Sequence, residues 1–307
     1  MIANFFSKST PAKVFYLMAL LSLYYLMFLV TGNNLIMSLS NFFKNIAFWA
    51  VLVLFLLVFS FIIKKNKLTL DSLYALFLMV VLMGSFGETM IYKNIVFSNL
   101  FLLFSFRKIY SLKSQLSTKI KLFDAGLWVG VATVVYSWSG LFLILIYVGL
   151  LIYQKGTFKN LCIPIVGFFM PLFLMFTYFF YFDNVDGFMS IMELNLSLDF
   201  TAYNNLKLLI PIAFLSTILL WSVIFETPRI VLVSNRLRQA WKVILSQLLL
   251  SIIIVVVLPV KNGSEMLYLL FPATVIIANY LSKTRSSSFR NLIMYVFLII
   301  SAGIYFL

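Results

Sequence analysis

Residues Leu122 to Tyr153 read LFDAGLWVGVATVVYSWSGLFLILIYVGLLIY, an apolar run whose only charge is Asp124 near its start. Lysines crowd both ends, Lys119 and Lys121 before it and Lys155 and Lys159 after it. As one straight helix the run would measure about 48 Å at 1.5 Å per residue, against a hydrocarbon core roughly 30 Å thick. Positive charge on both flanks assigns both ends to the cytoplasmic face, so the chain enters the membrane and returns, turning at Ser137-Trp138-Ser139-Gly140. The expectation is a tight helical hairpin over 122–153.

Working outward, 63% hydrophobic and 10% charged residues with a mean hydropathy of +1.07 lie far from the soluble range, where charged residues alone approach a quarter. The chain reads as a polytopic integral membrane protein. Its first strong run, Val14 to Thr31, follows Lys8 and Lys13 as a signal peptide would, but no small-x-small cleavage pattern follows and more apolar runs do. A retained first helix is expected. The net charge of +14 sits in short basic clusters between apolar runs, the pattern of anchoring against anionic lipid headgroups, so membrane lipids rather than nucleic acid are the expected partner. Histidine is absent and Cys162 is the single cysteine, which excludes internal disulfides, structural zinc, histidine-ligated haem and Ser-His-Asp or Cys-His catalysis.

Apolar runs also cover 45–63, 68–85, 95–106, 160–182, 206–225, 243–260, 266–281 and 292–307. With the hairpin counted twice, the expected fold is an all-α membrane bundle of about eleven transmembrane helices with the amino terminus cytoplasmic. That orientation leaves only Lys44, Lys93, Lys207 and Lys261 of the 23 Lys and Arg residues outside. The run at 95–106 is the poorest span and reaches membrane length only if residues 89–94 are drawn in. Arg107 to Lys121 forms a basic stripe suited to lipid headgroups. The external segment 183–205 is expected to be structured: Val185, Phe188, Met189 and Met192 recur at helical spacing, as in a helix lying in the interface. Glu193, Asn195, Ser197 and Asp199 then alternate with period two. No repeat or flexible linker divides the chain, so one membrane domain over 1–307 is the simplest organisation.

Any chemistry must rest on carboxylates, lysines, arginines or tyrosines. Asp71, in Thr-Leu-Asp-Ser, reads as a helix N-cap, Asp124 as a complement to a helix dipole, and Glu226 as a partner of nearby Arg229. Glu88, Asp183, Asp186, Glu193, Asp199 and Glu265 fall on the outer face, where the bland explanation is that lysines are scarce and acids remain.

Residues 98–182 carry SNLFLLFSFRKIYSL, then KLFDAGLWVGVATVVYSWSGLFLILIYVGLLIY, then IPIVGFFMPLFLMFTYFFYF. This resembles the middle of the GT-C class of membrane glycosyltransferases: a basic turn, a small-residue AGLxxGxA helix, a sharp turn, a short helix and a long Gly/Pro-containing helix. The whole chain also resembles a family of bacterial polytopic inner-membrane proteins without an assigned activity. The GT-C likeness implies transfer of a sugar from a polyprenyl-phosphate lipid at the outer face, often with a divalent cation. Such enzymes carry a catalytic acid in the first external loop, whereas here residues 32–44 read GNNLIMSLSNFFK and hold none. On the resemblance, Glu88 in the second external loop becomes the candidate base, Lys93 and Lys207 would meet donor phosphate, and Asp183, Asp186, Glu193 and Asp199 could offer oxygen ligands to a cation. Two alternatives stand beside the transferase: a non-catalytic subunit of an envelope complex that binds other membrane proteins, and a transporter or lipid flippase.

Overall fold

The computed structural model describes residues 2–31, 39–114, 116–231 and 235–307. Residues 32–38 of the acid-free first loop lie outside them. The described residues form helices α1 (Ile2–Phe6), α2 (Pro11–Thr31), α3 (Leu39–Asn66), α4 (Tyr74–Ser85), α5 (Lys93–Ser111), α6 (Thr118–Val135), α7 (Leu143–Ile152) and α8 (Phe158–Tyr181). Then follow α9 (Val185–Met192), α10 (Leu206–Val231), α11 (Asn235–Val257), α12 (Leu267–Lys283) and α13 (Ser287–Gly303), with short 3-10 turns between some of them and no strand among the described residues.

Among the described residues six helices, α2, α3, α8, α10, α11 and α12, are long and apolar enough to cross a membrane, which corrects the expectation of about eleven spans. Every predicted run does contain a helix, but several are too short or too polar. The 12 residues of α4 extend about 18 Å and the 10 residues of α7 about 15 Å, against roughly 30 Å of hydrocarbon. Asparagine, serine, lysine and arginine dilute the apolar stretch of α5, and Lys119, Lys121 and Asp124 that of α6. Hydrophobicity also serves two different ends here. All of α4 is buried against protein, and 94% of the apolar window of α12 is buried, whereas only 11% is buried in α8, whose phenylalanines stand outward as lipid-facing residues do.

The chain divides into two compact units, Met1–Lys93 with Asp199–Arg229 and Lys261–Leu307, and Asn94–Leu198 with Ile230–Val260. In the first, α4 is the buried centre, with α1, α2, α3, α12 and α13 packed on it. Polar pins hold these helices in register. Tyr74 Oη donates to Ala3 O (2.9 Å), Ala3 N to Asn291 Oδ1 (2.9 Å), Asn279 Nδ2 to Leu68 O (2.9 Å) and Tyr305 Oη to Gly84 O (3.1 Å). In an apolar surround each such bond satisfies a group that would otherwise be buried unpaired.

In the second unit the turn falls where the sequence places it, although α7, at 10 residues, is too short to recross a membrane. Helix α6 ends at Val135, a 3-10 turn spans Ser137–Phe142, and α7 returns alongside α6. Serines pin the turn: Ser139, fully buried, is hydrogen-bonded to Ser98 at the start of α5. Helix α8 then packs on α6 at backbone contact. A Cβ at Gly126 would stand 2.3 Å from the Pro164 carbonyl oxygen, one at Gly130 2.3 Å from that of Phe168, and one at Gly167 2.4 Å from that of Phe123. The small residues are therefore the contact surface, as in close-packed membrane helix pairs.

Asp71 and Asp124 find partners elsewhere in the chain, and Glu226 gains one in addition to Arg229. Asp71 does not cap α4, whose N-cap is Leu73; it accepts from Ser9 Oγ at 2.8 Å. Asp124 lies beyond the first turn of α6 and pairs with Lys108 of α5 at 2.5 Å, a neighbour that sequence spacing does not reveal. Glu226 is fully buried and pairs chiefly with Lys283 of α12, with Arg229 Nη1 3.9 Å from its other oxygen.

Candidate functional site

Helix α4 ends at Ser85, and the chain turns through Gly87–Met90, a 3-10 turn carrying Glu88. This turn packs against a second one, Ser264–Met266, which carries Glu265. Two carboxylates from opposite ends of the sequence thus meet at one end of the first unit. Glu265 is fully buried and fully served: both its oxygens accept from the Gly263 amide, at 2.9 and 3.1 Å, and Oε1 accepts from Tyr203 Oη at 2.7 Å. Gly263 sits at φ +98°, a left-handed backbone that a side chain would strain, and this conformation aims its amide at the carboxylate.

Glu88 differs. It is half-buried and, among the described residues, its side chain has neither a hydrogen-bond partner nor an ion pair. Burial raises its pKa above the ordinary glutamate value, and the Glu265 charge adds to the rise. A partly accessible carboxylate with raised proton affinity and no competing partner is suited to take a proton from a bound hydroxyl.

Lys261 supplies the nearby positive charge. It is buried, lies over the Phe200 ring with Nζ 4.8 Å from the centroid, and feels both Glu265 and Asp199; burial nevertheless lowers its pKa overall. Asp199 Oδ1 accepts from the Thr201 amide at 2.9 Å, at the start of the 3-10 turn Thr201–Asn204, and that bond holds its pKa low. Tyr203, on the same turn, has its pKa raised by burial and by its bond to Glu265.

Of the residues expected to act together, the first unit brings Glu88 and Asp199 into this neighbourhood. Lys93 lies in the same unit, five residues beyond Glu88, with Nζ 5.9 Å from the Phe48 ring centroid. It lines a cavity of about 240 Å³ with Tyr25, Asn45, Phe48 and Met90. Lys207 opens α10 and is exposed. Asp183, Asp186 and Glu193 are exposed and belong to the second unit. The proposed cation set is not assembled: among the described residues no three acidic, cysteine or histidine side chains stand close enough to hold a metal.

The external segment is half as predicted. Asn184 caps α9 by accepting from the Gly187 amide at 3.1 Å, and Phe188 packs on Phe176 of α8 with ring centroids 5.3 Å apart. The alternating stretch after it forms no strand; Leu194, Leu196 and Leu198 stand exposed instead. Glu265, Lys261 and Tyr203 were not selected as site residues from the sequence. The available signal was Lys-Asn-Gly-Ser-Glu at 261–265, two charges in a short glycine turn between two apolar runs.

No family model, curated protein or solved structure matches the chain.

Proposed function

We propose that this is a multi-pass protein of the bacterial inner membrane with an outward-facing, carboxylate-centred site, working as a GT-C-like transferase on a polyprenyl-phosphate-linked sugar. The observation that carries the reading is Glu88, a half-buried carboxylate with no partner among the described residues, beside a fully satisfied one. In this role Glu88 takes the proton of the acceptor hydroxyl as it attacks the sugar carbon, the polyprenyl phosphate leaves, and Glu265 keeps Glu88 basic. Lys93, at the mouth of its cavity, is the residue placed to meet the leaving phosphate. The succession of α6, tight turn, short α7 and proline-bearing α8 supports the likeness to GT-C enzymes.

A second reading, a non-catalytic subunit of an envelope complex, is favoured by Asp183, Asp186, Glu193 and Lys207 standing exposed, with no three acidic side chains gathered among the described residues. One experiment separates the two. Purified Glu88→Gln protein is assayed for transfer from a polyprenyl-phosphate sugar to a hydroxyl acceptor. The transferase reading requires activity in the parent protein and its loss in the variant at unchanged thermal stability; a parent protein that neither transfers from nor binds the donor lipid leaves the scaffold.

A further inference from the structure

At the carboxyl-terminal ends of α10 and α12, away from the Glu88 turn, a cavity of about 550 Å³ is lined by Arg229, Lys283 and Arg285 together with Trp221, Phe225 and Tyr280. Three cations face one recess. A single carboxylate, Glu226, answers them from behind: it is fully buried, bonds Lys283 and lies 3.9 Å from Arg229 Nη1. Arg285 is exposed and, among the described residues, lies within ion-pair distance of no carboxylate. Capping of two helix ends accounts for positive charge here, but not for an open recess that keeps more positive charge than its carboxylate neutralises. The aromatic wall is held in place. Trp221 Nε1 donates to Tyr280 Oη at 2.8 Å, and the Trp221 and Phe225 ring centroids are 4.7 Å apart.

We infer that this recess binds a phosphate group carried on an amphiphile, the cations taking the phosphate oxygens and the Trp221–Phe225–Tyr280 wall the adjoining apolar part. Two arginines offer planar forks to phosphate oxygens, and Glu226 holds Lys283 and Arg229 in position before the ligand arrives. Aromatic rings beside cations at the end of an apolar helix are the composition of an interfacial headgroup site. The inference requires only that α10 and α12 cross a membrane and is independent of any chemistry at Glu88.

The test uses the full chain in nanodiscs. Thermal stability and lipids retained in native mass spectrometry are compared in phosphatidylcholine, in phosphatidylglycerol, and in phosphatidylcholine with added inorganic phosphate. Selective retention of phosphatidylglycerol identifies an anionic phospholipid as the ligand; stabilisation by inorganic phosphate alone in neutral lipid identifies a soluble phosphate compound and overturns the amphiphile assignment. The variant Arg229→Gln/Arg285→Gln, which spares the Glu226–Lys283 pair, should weaken binding about 25-fold, each cation near an anionic surface contributing roughly fivefold. Lys64→Gln/Lys65→Gln removes equal charge at the end of α3, outside the recess lining, and should weaken binding clearly less than the recess variant. No preference of the parent protein for either phosphate source, or equal losses in both double variants, overturns the inference.

Discussion

Replacing Gly126 with alanine tests the α6–α8 contact directly. The new Cβ would lie 2.3 Å from the Pro164 carbonyl oxygen and 3.0 Å from that residue's C and Cα. Ordinary carbon-to-oxygen contact requires about 3.3 Å, so the helices must part by about 1 Å. The obstacle is backbone, which no rotamer change removes. Separation on that scale forfeits a quarter to a half of each dispersion contact along the seam, and overpacking of this kind costs about 3 kcal/mol at the upper end of its usual range. Alanine returns about 1 kcal/mol in helix propensity, leaving a net loss of about 2 kcal/mol. For a chain of this size that is a fall in Tm of about 3 °C. Thermal unfolding of purified protein in detergent, followed by far-UV circular dichroism, measures it. Gly303→Ala is the matched control, since no atom lies within 4 Å of its Cβ, and should be neutral or slightly stabilising. Equal stability of the two variants would falsify the close-contact account of the α6–α8 seam.

The other expectations concern charge and turn geometry. Because the folded-state pKa of Glu88 is raised, the unfolded chain binds fewer protons between the ordinary glutamate value and that raised value, and stability falls as pH rises through the window. Glu88→Gln should remove that slope, read from Tm against pH; an unchanged slope places the titration elsewhere. In the transferase reading, activity should be lost as pH falls through the same raised pKa, with the base becoming protonated. Gly263→Ala places a side chain at φ +98° with its Cβ 2.8 Å from Leu208 Cδ2, and should cost about 1–3 kcal/mol; a neutral result would mean that the turn relaxes freely. Glu226→Gln leaves Lys283 without its buried partner. The loss should be about 2 kcal/mol, below that for a fully buried pair because both cations retain solvent contact, and Lys283→Met in the same background should recover part of it.

Membrane class, helical content and the position of the hairpin turn were all readable in the chain, because each rests on local properties. Apolar runs with basic flanks require helices in lipid, and Ser137-Trp138-Ser139-Gly140 interrupts a run too long for one span. Glu88 was legible as a loop acid because it follows a glycine-bearing helix end. What could not be read locally was which apolar runs face lipid and which face protein. Composition does not distinguish α4, buried on every side, from α8, mostly exposed, since both environments reward the same side chains; hence the overcount of spans. Partnership was hidden for the same reason. Glu265 meets Glu88, Lys283 meets Glu226 and Lys108 meets Asp124 because the helix ends that carry them are brought together only when the apolar faces pack. Charge pairing across that sequence distance is a consequence of packing, and the tertiary structure alone decides it.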